Sequence, residues 1–255
     1  MNSSKIIKFA CLSIIGAISM VQAEQSTSDP KPATYHESIP TPTFQNIRYG
    51  EYERNVLDFW KAESEQPTPL VIVIHGGGWC VGSKEKLHEI IDPKPLLKNG
   101  ISVAAINYRL IGWKMKDLKV TPRVKAPMHD AALAVQFLRS KAEEWNINKE
   151  LVAATGASAG ACTSLWLAYH DDLADPLNDN PVKHESTRLF CVAAKGAQTT
   201  LDPVQAREWI PNNKYGSIAF GAKGFYQFLM EARPPPSPCT TYSAWTFRQR
   251  SRRCR

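Results

Sequence analysis

Residues Leu151 to Gly160, LVAATGASAG, constrain this chain more than any other stretch. An apolar run closes on Gly156-Ala157-Ser158-Ala159-Gly160, which reads as a buried strand breaking at once into a helix, with a glycine two positions either side of a serine. So tight a turn brings backbone against backbone, and only small residues fit there. The serine hydroxyl is left at the corner, the GxSxG arrangement that presents a nucleophile. Ser158 is the first candidate for chemistry, and a plain small-residue turn is the alternative.

Three more runs have the same apolar character: Leu70 to His75 (LVIVIH), Ile101 to Tyr108 (ISVAAINY) and Leu189 to Ala194. Short, continuous and rich in branched residues, they suit strands covered on both faces. Between them lie helical patterns. Ser83 to Lys98 opens on a serine N-cap, is interrupted near Asp92-Pro93 and stops at Asn99-Gly100. Ala126 to Trp145 carries Ala131, Val135, Leu138 and Ala142 at helical spacing, and Ala159 to His170 leaves the serine corner. Asp171 to Lys183 reads as a loop, and Tyr49 to Trp60 as an antiparallel hairpin at a sheet edge. Strand and helix in alternation predict the α/β class, a doubly wound, mostly parallel sheet with helices on both faces.

The formal charge of the 255-residue chain is +7, which invites a nucleic-acid reading until the charges are placed. Lys5 and Lys8 at one end and six arginines between Arg233 and Arg255 at the other account for all of it. The body is close to neutral, so no nucleic-acid partner is expected. Residues 1–23 hold lysines, then the apolar run Phe9 to Val21, then Val21-Gln22-Ala23; they read as a signal peptide, with a membrane anchor as the alternative. Secretion or a periplasmic location is implied. Residues 24–45 are rich in Pro, Ser and Thr and read as a disordered leader, with the folded domain over 46–232. Of the body cysteines Cys80, Cys162 and Cys191, the last two read as buried small hydrophobes, and a single bridge stays open. No metal-ligand spacing is present among them.

At the end of the LVIVIH strand stands His75-Gly76-Gly77-Gly78-Trp79. Consecutive glycines there let bare backbone N–H groups face the crevice in which open α/β sheets bind ligands. That suits an oxyanion, with donors from Gly77, Gly78 and Ala159, the residue after the serine. HGGGW followed by GASAG, with NVLDFW before both, resembles the α/β-hydrolase esterases and lipases of the BD-FAE and hormone-sensitive-lipase-like type. The resemblance covers roughly Asn46 to Met230. It implies a serine hydrolase of the carboxylesterase or lipase type, acting on a small-molecule ester without cofactor or metal.

The resemblance also implies an acid and then a histidine after the nucleophile. Only His170 and His184 follow Ser158, both in or just past the helix that leaves it, and His129 precedes it. None of the three is expected to be the base, which stays unassigned; His75 is expected to be structural, bonding the loop. Asp202, in Leu201-Asp202-Pro203, is the candidate acid, with a turn or helix-start role as its alternative. From Arg233 the text RPPPSPCTTYSAWTFRQRSRRCR carries no helix or strand pattern, and 233–255 reads as an aberrant, frameshifted end in place of the family's last strands, or as a natural basic tail. An inactive hydrolase of this type follows, and a noncatalytic binding protein on the same fold is the alternative.

Overall fold

The computed structural model describes residues 33–111, 124–201 and 209. The expected signal peptide, leader residues 24–32, Asp202 and the tail 233–255 lie outside the described residues.

Six strands form one sheet: β1 (Phe44–Arg48), β2 (Val56–Trp60), β3 (Thr68–Ile74), β4 (Ser102–Ile106), β5 (Ile147–Ala157) and β6 (Cys191–Lys195). Their order is β1-β2-β4-β3-β5-β6. β1 with β2 and β2 with β4 run antiparallel, while β4, β3, β5 and β6 run parallel. The helices are α1 (Pro93–Lys98), α2 (Lys125–Ser140), α3 (Ala142–Trp145) and α4 (Ala159–Tyr169).

Side chains of β3 alternate between two cores, as a strand covered on both faces requires. Leu70, Ile72 and Ile74 join Leu57, Phe59 and Ile106 under Ala131, Val135 and Leu138 of α2 and Cys162 and Trp166 of α4. Val73 joins Trp60, Val103 and Ala105 on the other face, under Leu87 and the apolar side chains of α1. The helix after β3 therefore lies on one face and the helix after β5 on the other. β3 and β5 are neighbours, so a crevice opens between their carboxyl ends. Register places Ile74 opposite Gly156, which brings the HGGG loop and the serine corner to one level.

Several boundaries differ from those the sequence suggests. The leader expected to be disordered to residue 45 is seated from Tyr35 on: Tyr35 donates to Asp58 (2.7 Å), Ile39 is buried, and the Trp60 indole donates to the Pro40 carbonyl (2.7 Å). Order therefore begins before Asn46, because a few long-range contacts override a polar composition. Ser83 makes no side-chain cap, and a 3-10 turn covers Lys84–Glu89. The true cap is Asp92, whose carboxylate accepts from Lys94 N at the start of α1. The long helix ends at Ser140, with α3 a separate turn closed by Asn146 in the left-handed region (φ 59). Cys191, expected buried, is exposed, because β6 presents most of its side chains to solvent.

Candidate active site

Ser158 sits between β5 and α4 with φ 52 and ψ −117, a strained conformation for a residue with a side chain. What holds it there is the fit of α4 against β3. A Cβ on Gly160 would stand 1.9 Å from the Ile74 carbonyl oxygen, and one on Gly156 would stand 2.5 Å from the Gly160 carbonyl carbon. Both glycines exist to allow this contact. Ser158 N–H donates to the Lys195 carbonyl (2.9 Å), and the Ser158 carbonyl accepts from Cys162 N (2.9 Å), so the backbone is fixed on both sides of the serine.

Gly77 and Gly78 have φ of 97 and 59, and Trp79 follows at 59, so three successive residues hold left-handed backbone. The loop is anchored at each end. The Gly77 carbonyl accepts from Cys80 N (3.0 Å) and Val81 N (3.1 Å). The buried Trp79 indole donates to Thr163 on α4 (3.0 Å), and the Trp79 carbonyl accepts from Ile111 N (2.8 Å). The Arg54 guanidinium ties the Gly82 carbonyl (2.8 Å) to the Tyr108 carbonyl (2.9 Å). The loop abuts the serine closely enough that a Cβ on Gly76 would meet Ser158 Cβ at 3.5 Å. Ala159 opens α4, so its N–H has no acceptor within the helix. A hydroxyl at a strained corner, beside a rigid glycine loop and a helix N–H, is the arrangement that acyl transfer requires.

His75 is structural, as the sequence suggests. Its Nδ1 is 2.8 Å from the Gly76 carbonyl and its ring stacks on Tyr108, whose hydroxyl donates to the His75 carbonyl (2.7 Å). Burial pushes the imidazole down to about 4. A histidine kept neutral when folded costs stability as pH falls, since the unfolded chain, titrating near 6.5, takes up the proton first. Stability should therefore fall between about pH 6.5 and 4, by about 3 kcal/mol in all from this group, and level off below. Urea midpoints of the protein and of His75→Gln across that range check this: the substitution should flatten the curve.

The remaining histidines do not meet the serine. His170 stands at the far end of α4, about 18 Å along the axis from Ser158, with Nδ1 2.9 Å from the Asp171 carbonyl. The exposed His184 has Nε2 2.7 Å from the Asn178 carbonyl. His129 lies beside Trp166 (5.5 Å between ring centroids) and lines a separate cavity of about 390 Å³ with Tyr52, Arg109 and Gln136. Its neighbour Asp130 is committed to Arg109 through contacts of 2.6 to 3.0 Å. Among the described residues the side chain that does reach Ser158 is one that no sequence motif marks. Gln198 Nε2 donates to Ser158 Oγ at 3.3 Å. Its signal was position alone, just past the carboxyl end of an apolar strand.

Residues 57–217 match the BD-FAE family profile. The chain belongs to the BD-FAE family. It is an α/β-hydrolase esterase family, as the resemblance of the two glycine motifs implies. Over 141 residues the chain is 27% identical to Gut esterase 1 of Caenorhabditis elegans, covering 53% of this chain and 25% of that protein. Over 124 residues it is 26% identical to Esterase LipC of Mycobacterium tuberculosis, covering 46% of this chain and 27% of that one. The chain thus spans about a quarter of the length of these relatives. Thermogutta terrifontis esterase 2, in a structure phosphoramylated by tabun, superposes with a TM-score of 0.51 at 19% identity, over 73% of this chain and 68% of that one. At that identity the likeness is one of fold. It agrees with the doubly wound, mostly parallel sheet.

Proposed function

We propose that this chain carries the nucleophile and oxyanion hole of a secreted serine carboxylesterase that cleaves small carboxylic esters. Ser158 is the nucleophile, and the N–H groups of Gly77, Gly78 and Ala159 receive the oxyanion. The observation that carries this reading is the strained Ser158 corner held against the glycine loop by the Gly160–Ile74 approach. Membership of an esterase family supports it. Residues 1–23 would be removed on export, with the catalytic domain beginning in the segment that Tyr35 and Ile39 seat.

His75, His170 and His184 hydrogen-bond to the carbonyls of Gly76, Asp171 and Asn178, so none of these contacts supplies a base to Ser158. A serine without a base stays protonated, and what the oxyanion hole and binding leave is about 1,000- to 10,000-fold over water. A nucleophile that ionises unaided tests the site without a general base. Ser158→Cys supplies a thiol that forms thiolate near neutral pH. Treated with p-nitrophenyl acetate and followed by the mass of the peptide that carries residue 158, which sets aside the exposed Cys191, this variant should accumulate a thioester at residue 158, with p-nitrophenolate leaving and the thiol proton passing to solvent. Ser158→Ala should not be acylated in that peptide. Equal acylation of the two variants would remove the proposal.

A further inference from the structure

After β6 the chain turns at Gly196 (φ 63) and returns over the serine corner, delivering Gln198 to Ser158. Its Nε2 donates to Oγ at 3.3 Å, while its Oε1 is buried and has no partner among the described residues. A buried acceptor left unpaired is costly, and native folds keep such a group where it serves a role other than packing. We infer that Gln198 is the positioning residue of the nucleophile, holding the Ser158 hydroxyl in one rotamer through its carboxamide N–H. The inference rests on Ser158 being the nucleophile.

The chemistry of the contact fits positioning and excludes a base. A carboxamide does not titrate in the working range, so Gln198 cannot take the hydroxyl proton. A hydroxyl has one proton and two lone pairs. The Gln198 N–H occupies one lone pair, leaving the other for attack and the proton for a base supplied elsewhere. As charge develops on Oγ the same N–H stabilises it, because a hydrogen bond to an ionised acceptor is stronger than one to a neutral group.

A thiol at position 158 makes the contact measurable without catalysis. In Ser158→Cys the rate of alkylation by iodoacetamide, read on the peptide that carries residue 158 and so apart from the exposed Cys191, follows the thiolate, and its pH midpoint reports what faces the sulfur. The N–H of Gln198 favours the thiolate. Adding Gln198→Ala should raise the midpoint by about one pH unit, and adding the isosteric Gln198→Glu should raise it further, by placing a carboxylate beside the thiolate. The order Gln, then Ala, then Glu supports the assignment, whereas three coincident profiles overturn it. Thermal melts of the three proteins check folding. If the alanine variant does not fold, the comparison of Gln with Glu, which preserves shape, decides. A shifted midpoint with no acylation by p-nitrophenyl acetate would keep the contact and overturn the esterase reading; acylation with an unmoved midpoint would overturn only the role of Gln198.

Discussion

Gly160→Ala should destabilise the protein by about 3 kcal/mol or more and lower the acylation rate of the Ser158→Cys protein about 100-fold. The added Cβ would stand 1.9 Å from the Ile74 oxygen and 2.7 Å from the His75 oxygen. Both atoms are main chain in β3 and its exit, so no side-chain rotation relieves the clash. α4 must withdraw by more than an ångström, carrying Ser158 and the Ala159 N–H away from the glycine loop. Overpacking of a core costs about 1–3 kcal/mol when side chains share the strain, and here they cannot. Gly78→Ala is the contrasting case, since a Cβ there meets nothing within 4 Å and pays only for its φ of 59. That costs about 1–2 kcal/mol. Urea unfolding of both variants, with acylation measured in the Ser158→Cys background, separates close approach from conformational strain. Equal losses would refute the packing account of the corner.

The same distinction explains what could be read before the structure. β3, β4 and β5 are legible because burial on both faces leaves a continuous apolar signature, and GASAG is legible because a close backbone approach admits few residues. Both signals are local. The break in the helix expected from Ser83 to Lys98 is not local: Lys84 is drawn inward to Asp58, twenty-six positions earlier, and the turn around it tightens to 3-10 geometry. The seating of Tyr35 and Ile39 escapes composition for the same reason, since it depends on Asp58 and Trp60 at the far side of a hairpin. Gln198 is the clearest instance. Forty positions separate it from Ser158, and nothing in Lys195-Gly196-Ala197-Gln198 distinguishes it from a polar loop.

Lys84→Met should cost about 3–5 kcal/mol, the range found when one member of a buried ion pair is removed. Lys84 Nζ lies 2.7 Å from Asp58, with both side chains 2% exposed, and 2.7 Å from Glu85. Asp58 also accepts from the Tyr35 hydroxyl (2.7 Å) and from Asn46 N (2.5 Å). Burial and the Asp58 carboxylate push the Tyr35 phenol well above its ordinary range, so it stays a donor. One carboxylate on β2 thus fixes the N-terminal segment, β1 and the 3-10 turn, and Lys84 N donates to the Asn107 side chain (2.7 Å) beside the strand that carries Tyr108. Without the ammonium, the buried Asp58 side chain is left with two neutral donors, the Tyr35 hydroxyl and Asn46 N. The pair itself need not be stabilising, because desolvation of two ions offsets their attraction. Asp58→Leu with Lys84→Met, which also forfeits the Tyr35 and Asn46 bonds, should therefore be less unstable than the two single losses added together, by about 1–3 kcal/mol. Urea midpoints of the two single variants and the double variant complete the cycle. A double variant as unstable as the two losses added together would mean that the two residues act independently, and that Asp58 holds the segment through Tyr35 and Asn46 alone.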